Sequence, residues 1–185
     1  MRESLTLLRK AFELTSARVV VTRDILPLRL STGEVLVASK GEKVEVPRWI
    51  AKFLEERGIA KRLTEEISIE DVLRVHYKEL DRRSISELQK LPENFYWLLQ
   101  EYIETLQRDL RTAPNPRLLE ERRRLEGYLS DILEKRVQAI MVLATLLKSP
   151  LVEYKPRLSL EEIELLETVS ESVRVWMAAL KGEVE

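Results

Sequence analysis

From residue 64 onward, apolar residues recur at steps of three and four, whereas an earlier stretch is β-branched and alternating. The longest periodic segment is 116–148. Pro114 and Pro116 restrict the backbone upstream of it, and Ser149 and Pro150 end it. Leu118, Leu125, Leu129, Ile132, Leu133, Val137, Ile140, Leu143, Ala144 and Leu147 form one apolar stripe. At roughly 1.5 Å per residue this predicts a helical rod of about 45–50 Å. Its first half carries Glu120, Glu121, Arg122, Arg123, Arg124, Glu126, Asp131, Glu134, Lys135 and Arg136 off the stripe, which predicts a solvated arm. Its second half, 139–147, is apolar nearly all round, which predicts burial among neighbours.

The remaining elements follow in order. Leu5, Leu8 and Phe12 share a face, so 2–15 reads as a short opening helix. Residues 18–23 read as a strand, and 26–30 with 34–38 as a hairpin turning at Ser31, Thr32 and Gly33. Residues 43–46 alternate strictly. Pro47 then starts a helix over 48–57, Gly58 caps it, and 59–63 returns as an edge strand. Ser68 and Asp71 form a capping box for a helix to about Arg83, with Ile69, Val72, Leu73, Val75 or His76, and Leu80 as its apolar positions. Residues 84–91 are a turn or short helix, and 92–110 is strongly helical, with Phe95, Leu98 or Leu99, Tyr102 or Ile103, Leu106 and Leu110 on its face. With Pro156 inside it and Pro150 just before it, 151–158 reads as an extended connector, and Ser159 with Glu162 caps a last helix to about Lys181, ended by Gly182. The predicted class is α+β: an opening helix (1–16), a small β-rich module (17–63) and a mainly helical bundle (64–185).

Composition narrows the classes. With 185 residues and a hydrophobic fraction of 44%, the chain can bury a core, so it is not a disordered sequence. There is no cysteine, which excludes disulfides and thiolate metal sites and suits a reducing cytosol. No apolar run approaches the roughly 18 residues that span a bilayer, and the N-terminus lacks a signal-peptide pattern. Both point to a soluble intracellular chain. Abundant Glu and Arg with few Gly hint at a thermophile. The near-zero net charge hides an asymmetry. Residues 1–63 hold 13 Lys/Arg against 8 Asp/Glu, and 64–185 hold 18 against 24. A basic front half admits nucleic acid or an acidic partner.

No catalytic constellation is visible. The single histidine, His76, has no Cys or Ser partner in sequence and reads as a packing or surface residue. Acidic pairs lie at helix starts, where they complement the dipole. The five glycines are scattered, so no phosphate-cradling loop exists. No cofactor and no metal is expected. Arg122, Arg123 and Arg124 form the one dense basic run, interleaved with Glu120, Glu121 and Glu126. Phe95, Tyr96 and Trp97 occupy consecutive helical positions that fan over about 200°, so they cannot all face one core. Together with Trp176, they point to a protein interface.

The small module carries Thr32-Gly33, then Lys40-Gly41-Glu42-Lys43-Val44-Glu45-Val46-Pro47, then Ala51-Lys52-Phe53-Leu54-Glu55-Glu56-Arg57-Gly58-Ile59-Ala60. This resembles the small B domain of archaeal GINS subunits. The Leu91-Pro92-Glu93-Asn94-Phe95-Tyr96 entry, and Asp131 to Arg136 before an Ala/Leu-rich tail, are similar to the GINS A domain. The resemblance covers roughly 17–180. The small domain comes first, as in the type related to Psf-two and Psf-three, whereas the Phe95-Tyr96 entry is more similar to the helical-first type. The subunit type therefore stays open. The opening helix is an addition to the pattern.

The resemblance implies a non-catalytic subunit of a tetramer in the nucleoid. That complex would bridge MCM helicase and a RecJ-like, Cdc-forty-five-like protein, and would contact primase or polymerase. On that reading Phe95, Tyr96, Leu99, Ile103, Ile140, Leu143, Leu147 and Trp176 are expected to close against sister subunits. The small domain, on a linker near Thr64, is expected to dock on a partner. Arg48, Lys52, Arg122, Arg123 and Arg124 are candidate DNA or partner contacts. The rival reading is a nucleic-acid-binding regulator working through its basic N-terminal module, and a steep salt dependence would mark it.

Overall fold

The computed structural model describes residues 1–29, 33, 35–63, 66–146 and 151–182. Leu147, Thr64, most of the hairpin tip and the Ser149-Pro150 stop lie outside them. The class is α+β, mostly helical with small antiparallel sheets. Two compact units separate, Arg9–Glu66 and Met1–Leu8 with Ile67–Glu185. The opening helix, α1 (Arg2–Leu14), contributes residues to both.

In the smaller unit, β1 (Ser16–Val21) is the middle strand, antiparallel to β4 (Lys43–Pro47) on one side and β5 (Ala60–Arg62) on the other. Ala17, Val19 and Val21 point inward at the two-residue period of a strand with one buried face. β2 (Ile25–Arg29) and β3 (Val35–Ala38) form the expected hairpin, with a register irregularity between Ile25 and Leu28. Pro27 lies inside that interval and has no N–H to give to the ladder. α2 (Arg48–Glu56) packs Ile50, Ala51 and Leu54 into the core with β1 and β4. Gly58, at φ +64, ends it: its N–H reaches Glu55 O at 2.9 Å and that of Ile59 reaches Leu54 O at 2.9 Å. This is a Schellman cap, which needs a residue tolerant of positive φ.

In the larger unit, α3 (Ile69–Asp81) opens on the expected capping box. Asp71 N–H donates to Ser68 Oγ at 3.1 Å, and the Asp71 carboxylate receives Ser68 N–H. Those bonds from Ser68, side chain first, hold the Asp71 carboxyl below its usual range. α4 (Phe95–Thr112) starts three residues later than expected, because Asn94 turns left-handed at φ 55. α5 (Pro116–Thr145) is the rod, capped by Asn115. The connector is not extended: Leu151–Tyr154 forms a helical turn (α6) and Lys155–Arg157 a 3₁₀ turn. Pro156 sits in the first turn of the latter, where its missing N–H costs nothing. α7 (Leu160–Lys181) completes the unit.

α5 packs on α3 and α4 with its first half and on α7 with its second, giving two clusters along one rod. This overturns the solvated-arm expectation. Leu125 and Ile132 are fully buried, flanked by Leu118, Tyr128 and Leu129. It also overturns the all-round burial of the second half, where Met141, Val142 and Leu146 stay exposed. On α3, Glu79 rather than Leu80 is buried.

Candidate interaction surface

Arg136 lies on the α5 stripe between Ile132 and Ile140 and is only 1% exposed. All five of its N–H donors find acceptors. Nε and Nη2 grip Glu162 of α7 at 2.7 and 2.5 Å. Nη1 reaches Glu79 of α3 at 3.1 Å and Gln89 O at 2.9 Å. Nη2 also donates to Arg157 O in the connector, at 3.1 Å. Tyr96 of α4 donates its hydroxyl to Glu162 at 2.6 Å, and Arg82 braces the far oxygen of Glu79 at 3.2 Å. One guanidinium therefore ties α3, the turn before α4, the connector and α7 to α5. A planar fork with five donors can do this and an ammonium cannot. Burial alone would lower the Arg136 pKa, but the hydrogen bonds and charges of Glu162 and Glu79 prevail and hold it above its usual value. Burial, then the Glu162 charge, raises that of the Tyr96 phenol.

Glu162 holds two posts. Its second oxygen receives Ser159 N–H at 2.9 Å, so the cap that starts α7 also aims the carboxylate at Arg136. The motif was legible in sequence. Its second use was not, and neither was burial of Arg136, which the expectation placed on the solvated face.

Above this network lies a cleft of about 460 Å³, floored by Arg136 and Glu162 and walled mainly by apolar side chains. Met1 and Leu5 of α1 border it, as do Tyr96, Trp97 and Gln100 of α4, Leu129, Leu133, Val137 and Ile140 of α5, and Leu165 of α7. Leu133, Val137 and Met141 follow at one-turn spacing on α5 and are all exposed, so the apolar surface continues along the helix. A groove of this size and lining takes an apolar side chain or a helix face.

The expected interface residues divide. Phe95, Leu99 and Leu143 are buried in this chain's own clusters, so this chain already covers their side chains, and Ile140 is buried too but borders the cleft. Tyr96 and Ile103 are half-buried, and Trp176 is exposed. Leu147 lies outside the described residues. Among the basic candidates, Arg48 is buried. Its guanidinium sits 4.4 Å from the centre of the Phe12 ring, and it bonds Thr15 Oγ1 at 2.9 Å and Glu66. It is a structural residue. Lys52 and Arg123 are exposed, Arg124 pairs with Glu120, and Arg122 lies 3.4 Å from Glu126. That pairing blunts the run as the interleaving predicts.

His76 Nε2 lies 2.8 Å from Asp131 with its ring 4.6 Å from that of Tyr128, joining α3 to α5 away from the cleft lining. Among the described residues, no group of three or more His, Cys, Asp or Glu side chains converges as a metal site. No described helix is long and apolar enough to cross a membrane. Compared with models of known protein families and with characterised proteins, the chain matches none.

Proposed function

We propose that this chain is a non-catalytic structural subunit of a multi-protein assembly, and that the assembly is of GINS type. The observation that carries the reading is the apolar cleft together with the Leu133, Val137 and Met141 ridge beside it. Soluble chains leave contiguous apolar surface uncovered chiefly where another molecule covers it. The motif resemblance, with a small β module ahead of a helical bundle, supplies the family. On this reading the partners are a sister GINS subunit in a tetramer, MCM helicase, a RecJ-like protein and primase or polymerase, at work on the nucleoid.

The rival reading, a nucleic-acid-binding regulator, loses Arg48 to the interior of the small unit. The scaffold reading is tested by light-scattering mass of the chain co-expressed with a candidate GINS partner. A stable four-chain assembly, lost when Val137→Glu and Leu133→Glu charge the ridge, supports it. A monomer that ignores the partner, with salt-dependent DNA binding instead, would overturn it.

A further inference from the structure

The Arg136 network borders a second hollow, of about 330 Å³, which shares no lining residue with the cleft. It lies between α3, which gives Arg74, Val75 and Lys78 to the lining, and the turn before α4, which gives Lys90, Leu91 and Pro92. Arg136 holds the two sides together, donating Nη1 to Glu79 of α3 at 3.1 Å and to Gln89 O of the turn at 2.9 Å. The two carboxylates in the lining are already engaged. That of Asp71 receives Ser68 N–H at 3.1 Å and the Ser68 hydroxyl at 2.6 Å, and that of Glu79 is buried against Arg136 and Arg82. The cations are not. Lys78 and Lys90 are exposed and, among the described residues, form no ion pair. The Arg74 side chain is 67% exposed and reaches Asp71 at 3.5 Å, a surface contact that contributes little.

We propose that this hollow binds a short acidic segment of another protein, one with two carboxylates separated by an apolar residue. Spacing and charge select that occupant. Arg74 and Lys78 are one turn apart on α3, about 6 Å at 1.5 Å per residue. Alternate side chains of an extended segment point the same way and are about 6.6 Å apart, so two acids can meet the two cations. The side chain between them points to the far wall, where Leu91 and Pro92 are apolar and Lys90 adds positive charge. Nucleic acid fits less well. Glu70 and Glu93, beside the hollow in sequence, are exposed, and residues 64–185 hold 18 Lys/Arg against 24 Asp/Glu. A long polyanion entering the hollow would run on into repulsion, and a short segment would not.

The contact is weak by construction. A few exposed ion pairs over a small apolar wall give a Kd on the order of 1 mM for an isolated tripeptide. Salt loosens it, since the Debye length falls from about 10 Å at 0.1 M to about 3 Å at 1 M. It needs no sister subunit.

An NMR titration of the isotope-labelled full chain with the capped peptide Glu-Leu-Glu reads this directly. The expected result is a saturable shift of the Val75, Lys78 and Lys90 amides. Binding should be about tenfold weaker for Lys78→Glu with Lys90→Glu, whose circular dichroism is unchanged because both sites are exposed. It should be about threefold weaker for the peptide Glu-Gly-Glu, and equal binding of that peptide overturns the apolar wall. Val137→Glu, on the ridge beside the cleft, should bind Glu-Leu-Glu as the wild type does. No saturable shift up to about 10 mM overturns the proposal. So does binding that survives the double substitution, or shifts centred on Trp97 and Leu133 of the cleft. A thymidylate trinucleotide bound more tightly than the peptide overturns the choice of protein over nucleic acid. No sister subunit enters the titration, so its failure is independent of the assembly reading.

Discussion

Replacing Arg136 with methionine tests the internal frame that holds the cleft. The substitution keeps much of the volume and removes five hydrogen bonds and one charge. Glu79 keeps Arg82 as its counter-ion, so the stranded group is chiefly Glu162, only 4% exposed. Breaking a buried pair from one side costs about 3–5 kcal/mol. Carbonyls left without donors cost about 1–3 kcal/mol each where water cannot reach them. Because the bonds to Gln89 O and Arg157 O are only partly buried, water can replace the lost donors there, and about 4–5 kcal/mol in all is the expected loss. Against a domain stability of about 5–15 kcal/mol this is severe but survivable.

The assay is urea unfolding followed by helical circular dichroism. With a slope of about 2 kcal/mol per M, the midpoint drops by about 2 M. Arg136→Lys should recover little, since an ammonium cannot make the fork. Adding Glu162→Gln to Arg136→Met removes the stranded charge and should return about 1–3 kcal/mol. A single-variant loss under about 1 kcal/mol, or a double variant no better than the single, would refute the claim that this network ties the helices together.

Tyr96→Phe should alter the alkaline limb of the stability curve. Its folded pKa is raised above the ordinary 10.0, so the stability it contributes is intact below pH 10 and is lost as pH rises beyond it, where only the unfolded chain ionises. The wild type should lose up to about 1.4 kcal/mol more per pH unit than the variant there, and equal slopes above pH 10 in urea titrations contradict this. Ser159→Ala should cost about 1 kcal/mol, much as Ser68→Ala does, because it removes the acceptor of the Glu162 N–H and leaves the backbone N–H of residue 159 holding the Glu162 carboxylate; a loss by denaturation several times that of Ser68→Ala would contradict this. Arg48→Met should destabilise the small unit by about 1–2 kcal/mol, from the lost stacking on Phe12 and the lost bond to Thr15. A variant that melts like wild type but binds DNA less well would restore Arg48 to the nucleic-acid side.

What the sequence made legible was local. Ser68 with Asp71, Ser159 with Glu162, Gly58 and Gly182 announce helix ends through bonds spanning a few residues. The inward alternation of Ala17, Val19 and Val21 is likewise written in adjacent positions. Arg136 was hidden because two signals conflict. Its position continues the stripe from Ile132 to Ile140, while its charge argues for water, and the acids that resolve the conflict lie 26 and 57 positions away. The interface expectation failed at Phe95 and Leu99 for a related reason. Periodicity marks a face that must be covered, but not whether this chain or another covers it. Connector 151–158 read as extended from Pro156 and the preceding Pro150, yet proline tolerates the first turn of a helix as readily as an extended backbone.

The chain's three tryptophans stand on three different surfaces: Trp49 on α2 of the small unit, Trp97 in the cleft and Trp176 on the end of α7. Fluorine NMR of the fluorotryptophan-labelled chain, each resonance assigned by a single Trp→Phe variant, therefore reports which surface a partner covers. If the chain is an assembly subunit docking through its cleft, adding the sister subunit shifts Trp97 and leaves Trp49 in place. A partner that shifts Trp49 alone, or a mixture in which no resonance moves, would contradict the account.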